Sequence, residues 1–271
     1  MMVHLYALSW NDGRMVDYFL RHYEPFVDRF FIYDDGSTDG TRDTFAARDD
    51  VELRPQLRRY PESWVKSALH FYNECWMESR GVADWVFIVN LDEHLYHPRM
   101  RDYLSECRAA GVTAIPSLGF QMVSAGFPDT DVPLYRELTM GAPWSQMSKM
   151  QIFNPNAVIA TNFGPGRHRA RFEGDICIPQ RNEVLNLHYK YLGLDRLHDR
   201  HGALRARLGP LDIQNRWGHR YHFSRQELGE DYDSFAAASL DVFAEGYSPD
   251  RDYVGDRWFK GYPAAVVGQP G

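Results

Sequence analysis

The sequence predicts an α/β fold: a mostly parallel central sheet with helices packed on it, followed by a helical C-terminal segment. Three observations carry that expectation. The chain opens with an apolar run at residues 3–8, a helical repeat of Met15, Phe19, Leu20 and Tyr23, and a second apolar run at residues 27–33. A strand, helix and strand in that order imply parallel neighbours joined by a right-handed crossover. Val86-Phe-Ile-Val89 is a short apolar run of the kind buried on both faces of a sheet, and it leads directly into Asn90-Leu-Asp-Glu93. The second run likewise ends in a carboxylate pair, Asp34-Asp35. In an open α/β sheet ligands sit beyond the carboxyl ends of the strands, so these acidic tips belong on the rim of a cleft.

Length and composition set the bounds. With 271 residues, 44% hydrophobic and 25% charged, the chain can bury a substantial core. No apolar run reaches the roughly 18 to 20 residues that span a bilayer, and the N-terminus lacks the basic-then-apolar layout of a signal peptide. The expected location is the cytoplasm, with membrane contact only peripheral. Cys75, Cys107 and Cys177 stand far apart and in no metal-ligand spacing, which argues against a disulfide framework or a zinc site. A net charge of −7 disfavours indiscriminate nucleic-acid binding, yet residues 164–225 hold twelve Lys or Arg against six Asp or Glu. That segment reads either as a basic wall facing phosphates or as a solvated basic helix over residues 196–207.

Ser9-Trp-Asn-Asp-Gly13 closes the first strand with turn and cap chemistry, and Pro25 stops the first helix. After the second strand comes Asp34-Asp-Gly-Ser-Thr-Asp-Gly-Thr41. Its glycines permit a tight turn, Ser37, Thr38 and Asp39 can cap the next helix, and its amides suit a polar ligand. A turn that merely starts a helix does not require two consecutive aspartates. Residues 51–53 make a short strand, and residues 62–80 a long helix with Trp64, Ala68, Tyr72 and Trp76 on its apolar face. Beyond the acidic tip, residues 98–110 read as a helix, 112–116 as a strand and 119–135 as an irregular loop. Strands follow at 147–153, 157–160 and 183–190, with the glycine-proline loop Gly164-Pro-Gly-Arg-His-Arg169 between the last two. Residues 192–208 form a basic amphipathic helix. Trp217-Gly-His-Arg-Tyr-His222 either packs the tail on the core or closes over a site. Residues 231–245 form a last helix, and the chain beyond Gly261 is a loose tail. We read residues 1–223 as one domain, with residues 224–271 as a helical segment and tail packed on it.

The strand-helix-strand start, Asp34-Asp-Gly-Ser-Thr-Asp-Gly-Thr41 and the Trp85-led strand ending Asn90-Leu-Asp-Glu93 together resemble the family 2 type of GT-A-fold glycosyltransferases. The nearest likeness is to short bacterial proteins whose corresponding strand ends Asp-x-Asp-Glu-Phe. The resemblance is good over residues 3–96 and continues more loosely to about Tyr221. It implies a GT-A-like Rossmann-type sandwich and transfer of a sugar, with inversion, from a nucleotide-diphosphate sugar to an acceptor hydroxyl, a UDP-sugar being the first choice of donor. Carried over residue by residue, Asp34 or Asp35 meets base and ribose, Ser9, Asn11, Ser37 and Asn90 complete the nucleotide set, and Asp92 is the metal ligand for Mn²⁺ or Mg²⁺.

Asn90 departs from the pattern, since an amide there brings no charge, and metal dependence is therefore open. His94 stands where Phe is usual. His188, in Leu187-His-Tyr189, resembles the late histidine that many GT-A enzymes set on the metal or pyrophosphate, and an imidazole ligand favours Mn²⁺. Lys149, in Lys149-Met-Gln-Ile-Phe-Asn-Pro155, also has counterparts in related sequences. With Arg167, His168 and Lys190 it is expected at the phosphates or the acceptor, the alternative being a strand-edge lysine facing water. Asp129 and Asp131 are candidates for the base that deprotonates the acceptor, with Glu137, Glu173 and Asp175 as rivals.

The acceptor is expected to be a glycan, a lipid-linked or another hydroxyl compound, and the basic third leaves a nucleic-acid acceptor open. Two other readings compete. A sugar-nucleotide nucleotidyltransferase would start with a glycine-rich, Arg- and Lys-bearing loop, which Ser9-Trp-Asn-Asp-Gly13 lacks. A non-catalytic nucleotide- or sugar-binding relative is made credible by Asn90.

Overall fold

The first apolar run lies in the interior because both of its faces are covered: Val3, Leu5, Tyr6 and Ala7 are all fully buried. The computed structural model describes residues 1–268. In chain order its elements are β1 (Val3–Ser9), α1 (Gly13–Tyr23), β2 (Arg29–Asp34), α2 (Thr41–Ala46), β3 (Val51–Pro55), α3 (Trp64–Glu74), β4 (Trp85–Asn90), β5 (Glu93–Tyr96), α4 (Met100–Ala109), β6 (Ala114–Ser124), β7 (Met140–Pro143), β8 (Lys149–Phe153), β9 (Val158–Ala160), β10 (Glu173–Gly174), β11 (Ile178–Pro179), β12 (Val184–Leu192), α5 (Leu194–Arg205), α6 (Pro210–Gln214), α7 (Arg225–Ala238), β13 (Leu240–Asp241), α8 (Pro249–Asp252) and β14 (Ala264–Ala265).

A ten-stranded sheet runs β13-β7-β6-β8-β4-β1-β2-β3, with β12 paired to β6 and to β5. Strands β1 to β4 are mutually parallel. β8 lies antiparallel between β4 and β6, and β12 is parallel to β6, so β6 and β12 point the same way as the first four. This is the GT-A-like, mostly parallel α/β sandwich that the sequence predicts. The strand order reverses at β1, where the chain leaves toward β2 and β3 and returns on the other side as β4. Such a reversal opens a crevice at the carboxyl ends of the strands. Above the sheet, α1 buries Met15, Val16, Phe19, Leu20 and Tyr23, and Phe19 meets Phe30 and Phe45 edge-on. No helix among the described residues is long and apolar enough to cross a membrane, and the three cysteines are free.

The structure departs from the sequence expectations in four places, each for a local reason. The expected loop from residue 119 is strand as far as Ser124, because Phe120 and Met122 point into the core and Gly119 lets the strand pass the Met147 backbone, where a Cβ would sit 2.3 Å from a carbonyl carbon. The helix expected to run to residue 80 ends at Glu74 and continues as a tighter turn, Cys75–Ser79. The last long helix starts at Arg225 rather than residue 231, since Ser224 and Glu227 form a reciprocal cap. Beyond Gly261 the chain is tied down: β14 pairs in parallel with β11, and Tyr262 Oη accepts from Phe172 N at 2.8 Å. Residues 269–271 of the expected tail lie outside the described residues.

Candidate functional site

A cleft of ≈ 990 Å³, counted out to open solvent, lies at the carboxyl ends of β1, β2 and β4 and against β12 and α5. Its walls include Ser9 and Trp10 at the end of β1, Asp35 after β2, Asn90 and Asp92 at the end of β4, and His188 and Lys190 of β12. Residues far apart in sequence therefore meet where the topology predicts a ligand.

Asp92 and His188 face one another across this floor, with Oδ2 and Nε2 3.4 Å apart. Their backbones are also joined: Tyr189 N donates to Asp92 O at 2.7 Å. The Gln121 amide donates through Nε2 to the carbonyls of Met122 and His188, which leaves its Oε1 as acceptor. His188 Nδ1, 2.7 Å from that oxygen, is therefore an N–H donor, and Nε2 is turned toward a carboxylate oxygen. Two acceptors this close need a proton or a cation between them. A histidine whose outer nitrogen is held by an amide oxygen is the usual form of a metal-binding imidazole. Burial pushes the Asp92 carboxyl up, but His188, Lys190 and Arg200 outweigh it and hold it far below the usual carboxylate range. Among the described residues no group of three potential metal-binding side chains forms. A divalent ion would thus take two protein ligands and fill its shell with phosphate oxygens and water, as Mg²⁺-type sites commonly do.

The opposite wall is basic. Arg196, Arg200 and Leu204 recur at four-residue spacing along α5 and line the cleft together with Arg207 just beyond it. Arg200 is spent on the strand-end loop, binding Asp12 at 2.6 Å and the carbonyls of Trp10 and Asn11. Arg207 pairs with Asp35, which also receives Arg58 at 3.0 Å. Lys190 and Arg196 form no ion pair among the described residues; they lie over the rings of Tyr221 and Phe127 at 4.7 and 4.4 Å. Burial draws Arg196 down from its ordinary value, with Asp92 opposing. The wall is held in place by the next turn. Asp212, fully buried, accepts from Trp64 N at 2.8 Å and from Gly209 N at 2.9 Å, capping α3. Gly209 fits there because a Cβ would lie 2.1 Å from Glu62 O.

Behind the floor lies a fully buried charge network. Glu93 binds Lys149 at 2.7 Å and Arg167 at 2.6 Å, and Asn90 joins it through Nδ2, 3.2 Å from Glu93 Oε1. Asn90 Oδ1 in turn accepts from Tyr72 at 2.7 Å and Arg167 at 3.3 Å. Arg167 also stacks on Tyr72, 4.1 Å from the ring centre. Burial raises the Glu93 carboxyl, yet Arg167 and Lys149 pull it below the carboxylate range, while burial lowers Lys149 against the pull of Glu93.

The sequence-derived candidates thus divide. Ser9, Asp35, Asn90, Asp92, His188 and Lys190 converge on the cleft. Asp34, Asn11 and Ser37 sit one layer back and shape its loops: Asp34 accepts from Gly36 N and Ser37 N, Ser37 Oγ accepts from Asn11 N, and Asn11 Oδ1 accepts from Thr38 N. Lys149 and Arg167 do not reach the cleft, because each is wholly buried on Glu93 rather than exposed at an edge or a loop. His168 turns its Nδ1 to the Gln146 carbonyl at 2.7 Å. Asp129 and Asp131 are exposed on the loop after β6 and line no part of the cleft. Among the lining residues that the sequence reading did not name as site residues are Trp10, Arg58, Arg196, Arg200, Arg207 and Tyr221. The spacing of Arg196, Arg200 and Leu204 on one helix face was the available signal for three of the wall's residues.

A family model described as glycosyltransferase family 92 matches residues 16–192, from α1 through the end of β12. The chain belongs to glycosyltransferase family 92. A family 92 protein of Oryza sativa subsp. japonica is 30% identical over 89 residues, 32% of this chain and 15% of that protein. One from Ricinus communis is 24% identical over 213 residues, 68% of this chain and 34% of that protein. The chain therefore spans about a third or less of these curated relatives. Among solved structures, S. aureus TarS residues 1–349 align with a TM-score of 0.39 at 11% identity, covering 87% of this chain and 71% of that one. Glucosyl-3-phosphoglycerate synthase from Mycobacterium tuberculosis, in complex with Mg²⁺ and UDP, aligns with a TM-score of 0.38 at 16% identity over 62% of both chains. The family 2 likeness read from the sequence and the family 92 match agree at the level of glycosyltransferase.

Proposed function

We propose that this family 92 protein transfers a sugar from a nucleotide-diphosphate sugar, with UDP as the first choice of nucleotide, to an acceptor hydroxyl, with inversion and with the help of Mn²⁺ or Mg²⁺. The observation that carries the reading is the Asp92–His188 pair, 3.4 Å apart, sharing one cleft at the carboxyl ends of parallel strands with Lys190 and Arg196, neither of which is ion-paired among the described residues. Asp92 and His188 would hold the ion, whose chemistry is to offset the charge that gathers on the departing diphosphate. Lys190 from β12 and Arg196 from the α5 wall meet the same diphosphate, an arrangement that stabilises the charge developing on it. Trp10 and Asp35 bound the end of the cleft nearest β2, which suits a stacked base beside an acceptor of its N–H groups. Asp129 and Asp131 act as the acceptor's base if the loop that carries them, anchored by Tyr18 Oη to Pro128 O at 2.9 Å, folds over the mouth. A glycan or lipid-linked hydroxyl is the proposed acceptor, and residues 1–223 are the proposed catalytic unit.

The test is calorimetry of UDP with Mn²⁺, Mg²⁺ or EDTA on the wild type and on Asp92→Ala. Metal-dependent binding that disappears in the variant is the expected result. Failure of UDP, GDP, CDP and TDP alike to bind with any metal would sink the reading.

A further inference from the structure

Arg207 holds the best-defined planar slot in the cleft. Its guanidinium carbon lies 3.8 Å from the centre of the Trp10 ring, and its edge is ion-paired with Asp35. Both side chains are largely removed from solvent, at 10% and 12% exposure. The Nε–H is buried and has no hydrogen-bond partner among the described residues, so this guanidinium is incompletely satisfied where it lies. Asp35 does not depend on Arg207 for charge compensation, since Arg58 donates to it through both Nε and Nη2 at 3.0 to 3.2 Å. Burial lowers Arg207 to about 10 against the pull of Asp35.

A flat group stacked on an indole with an N–H edge on a carboxylate has the contact pattern of a nucleobase: a π face on one side and a ring or amino N–H at the rim. Arg200 also lies over the Trp10 ring, but farther out at 5.3 Å and held on Asp12 at 2.6 Å, so Arg207 is the group in direct stacking contact. The backbone beneath Arg207 is fixed on both sides, by α5 before it and by the Gly209–Asp212 turn on α3 after it. Exchange of occupants therefore falls to the side chain.

Resting on the nucleotide-sugar reading above, we propose that Arg207 is a specificity-determining residue that occupies the nucleobase position on Trp10 and yields it only to a ligand whose base replaces both the stack and the hydrogen bond to Asp35. Base-bearing donors can open the slot. Sugar phosphates and inorganic pyrophosphate, which carry no planar N–H group, leave it closed. The latch also lowers the apparent affinity for nucleosides: if it is closed nine-tenths of the time, a base binds about tenfold more weakly than to the open slot.

The experiment is calorimetry of uridine, UDP and inorganic pyrophosphate, with Mn²⁺, on wild type and Arg207→Ala. The proposal expects uridine and UDP to bind the variant about tenfold more tightly and pyrophosphate to bind both proteins equally. Weaker pyrophosphate binding by the variant would overturn it and make Arg207 a phosphate clamp. Weaker uridine and UDP binding with pyrophosphate unchanged would also overturn it and make Arg207 a partner of the bound base. If Arg207→Ala does not fold, as judged by its thermal melt, Arg207→Gln, which keeps a short polar chain but cannot reach across both partners, is read by the same criteria. Absence of binding of all three ligands to wild type and variant would mark failure of the nucleotide reading itself, and with it this proposal.

Discussion

Asn90→Asp would place a carboxylate where the resemblance to family 2-type glycosyltransferases leads one to expect it, and the structure predicts that it is harmful. Asn90 Nδ2 lies 3.2 Å from Glu93 Oε1, so aspartate would turn a donor facing a carboxylate into a second carboxylate. At an effective dielectric of about 20, like charges at that distance repel by roughly 5 kcal/mol. Attraction to Arg167, 3.3 Å from Oδ1, is of similar size and offsets the repulsion. What remains is the loss of a hydrogen bond to a charged acceptor, worth about 1.5 to 3 kcal/mol. Urea unfolding of Asn90→Asp should therefore show a loss of about 2 kcal/mol, and Mn²⁺–UDP calorimetry should show no gain in affinity. Glu93→Gln alone leaves Lys149 and Arg167 buried without an anion and should cost about 3 to 5 kcal/mol. In the double variant Asn90→Asp/Glu93→Gln the carboxylate returns three residues away, at a side chain 3.2 Å from Glu93, so the pair should cost less than the sum of the singles. A variant Asn90→Asp as stable as its parent, with tighter Mn²⁺–UDP binding, would refute this account and make Asn90 a lost metal or ribose ligand.

Three further outcomes follow from the geometry. Lys190→Ala and Arg196→Ala should each weaken UDP and pyrophosphate binding by about tenfold, the cost of one charge-assisted contact, with a smaller salt dependence than wild type; an effect on uridine instead would contradict their assignment. Burial lowers His22 to about 4 and, with His22 beside it, drives His94 well below its ordinary value. Both rings are neutral in the fold, so the unfolded chain binds the extra protons, and stability falls as pH drops from about 6.5 toward 4.5 by up to about 1.4 kcal/mol per pH unit for each ring. Urea midpoints at pH 7, 6 and 5 check this, and His94→Phe should remove one ring's share of the slope, up to about 1.4 kcal/mol per pH unit, because His4, His97, His168 and His201 are lowered by burial as well. Gly209→Ala should lower stability by about 1 to 3 kcal/mol, because its Cβ would meet Glu62 O at 2.1 Å; an unchanged melting temperature would contradict the packing of this turn on α3.

How much was legible beforehand depended on how local each signal was. The apolar runs at β1, β2 and β4 and the acidic tips behind them fix the centre of the sheet, because short buried strands followed by carboxylates are read within ten residues. Asp92 and His188, almost a hundred residues apart, came together only through the resemblance. Asp34 and Asp35 could not be told apart in sequence; the structure separates a carboxylate that folds the turn from one that faces the cleft. Lys149 and Arg167 show the opposite limit. A lysine in a strand and an arginine in a glycine loop read as exposed cations, and nothing nearby in sequence reveals that Glu93 draws both into the core. Arg207 was missed for a related reason: its partners, Trp10 and Asp35, lie far from it in the chain, and only the fold stacks them.

The central claim is that Asp92 and His188 hold the ion of a nucleotide-diphosphate site. The most direct test is a crystal structure with Mn²⁺ and UDP, using the anomalous signal of manganese. The account predicts a manganese peak bonded to both Asp92 Oδ2 and His188 Nε2, with the diphosphate between it and Lys190 and Arg196. UDP bound in the cleft with no manganese on these two residues, or UDP bound elsewhere, would contradict it.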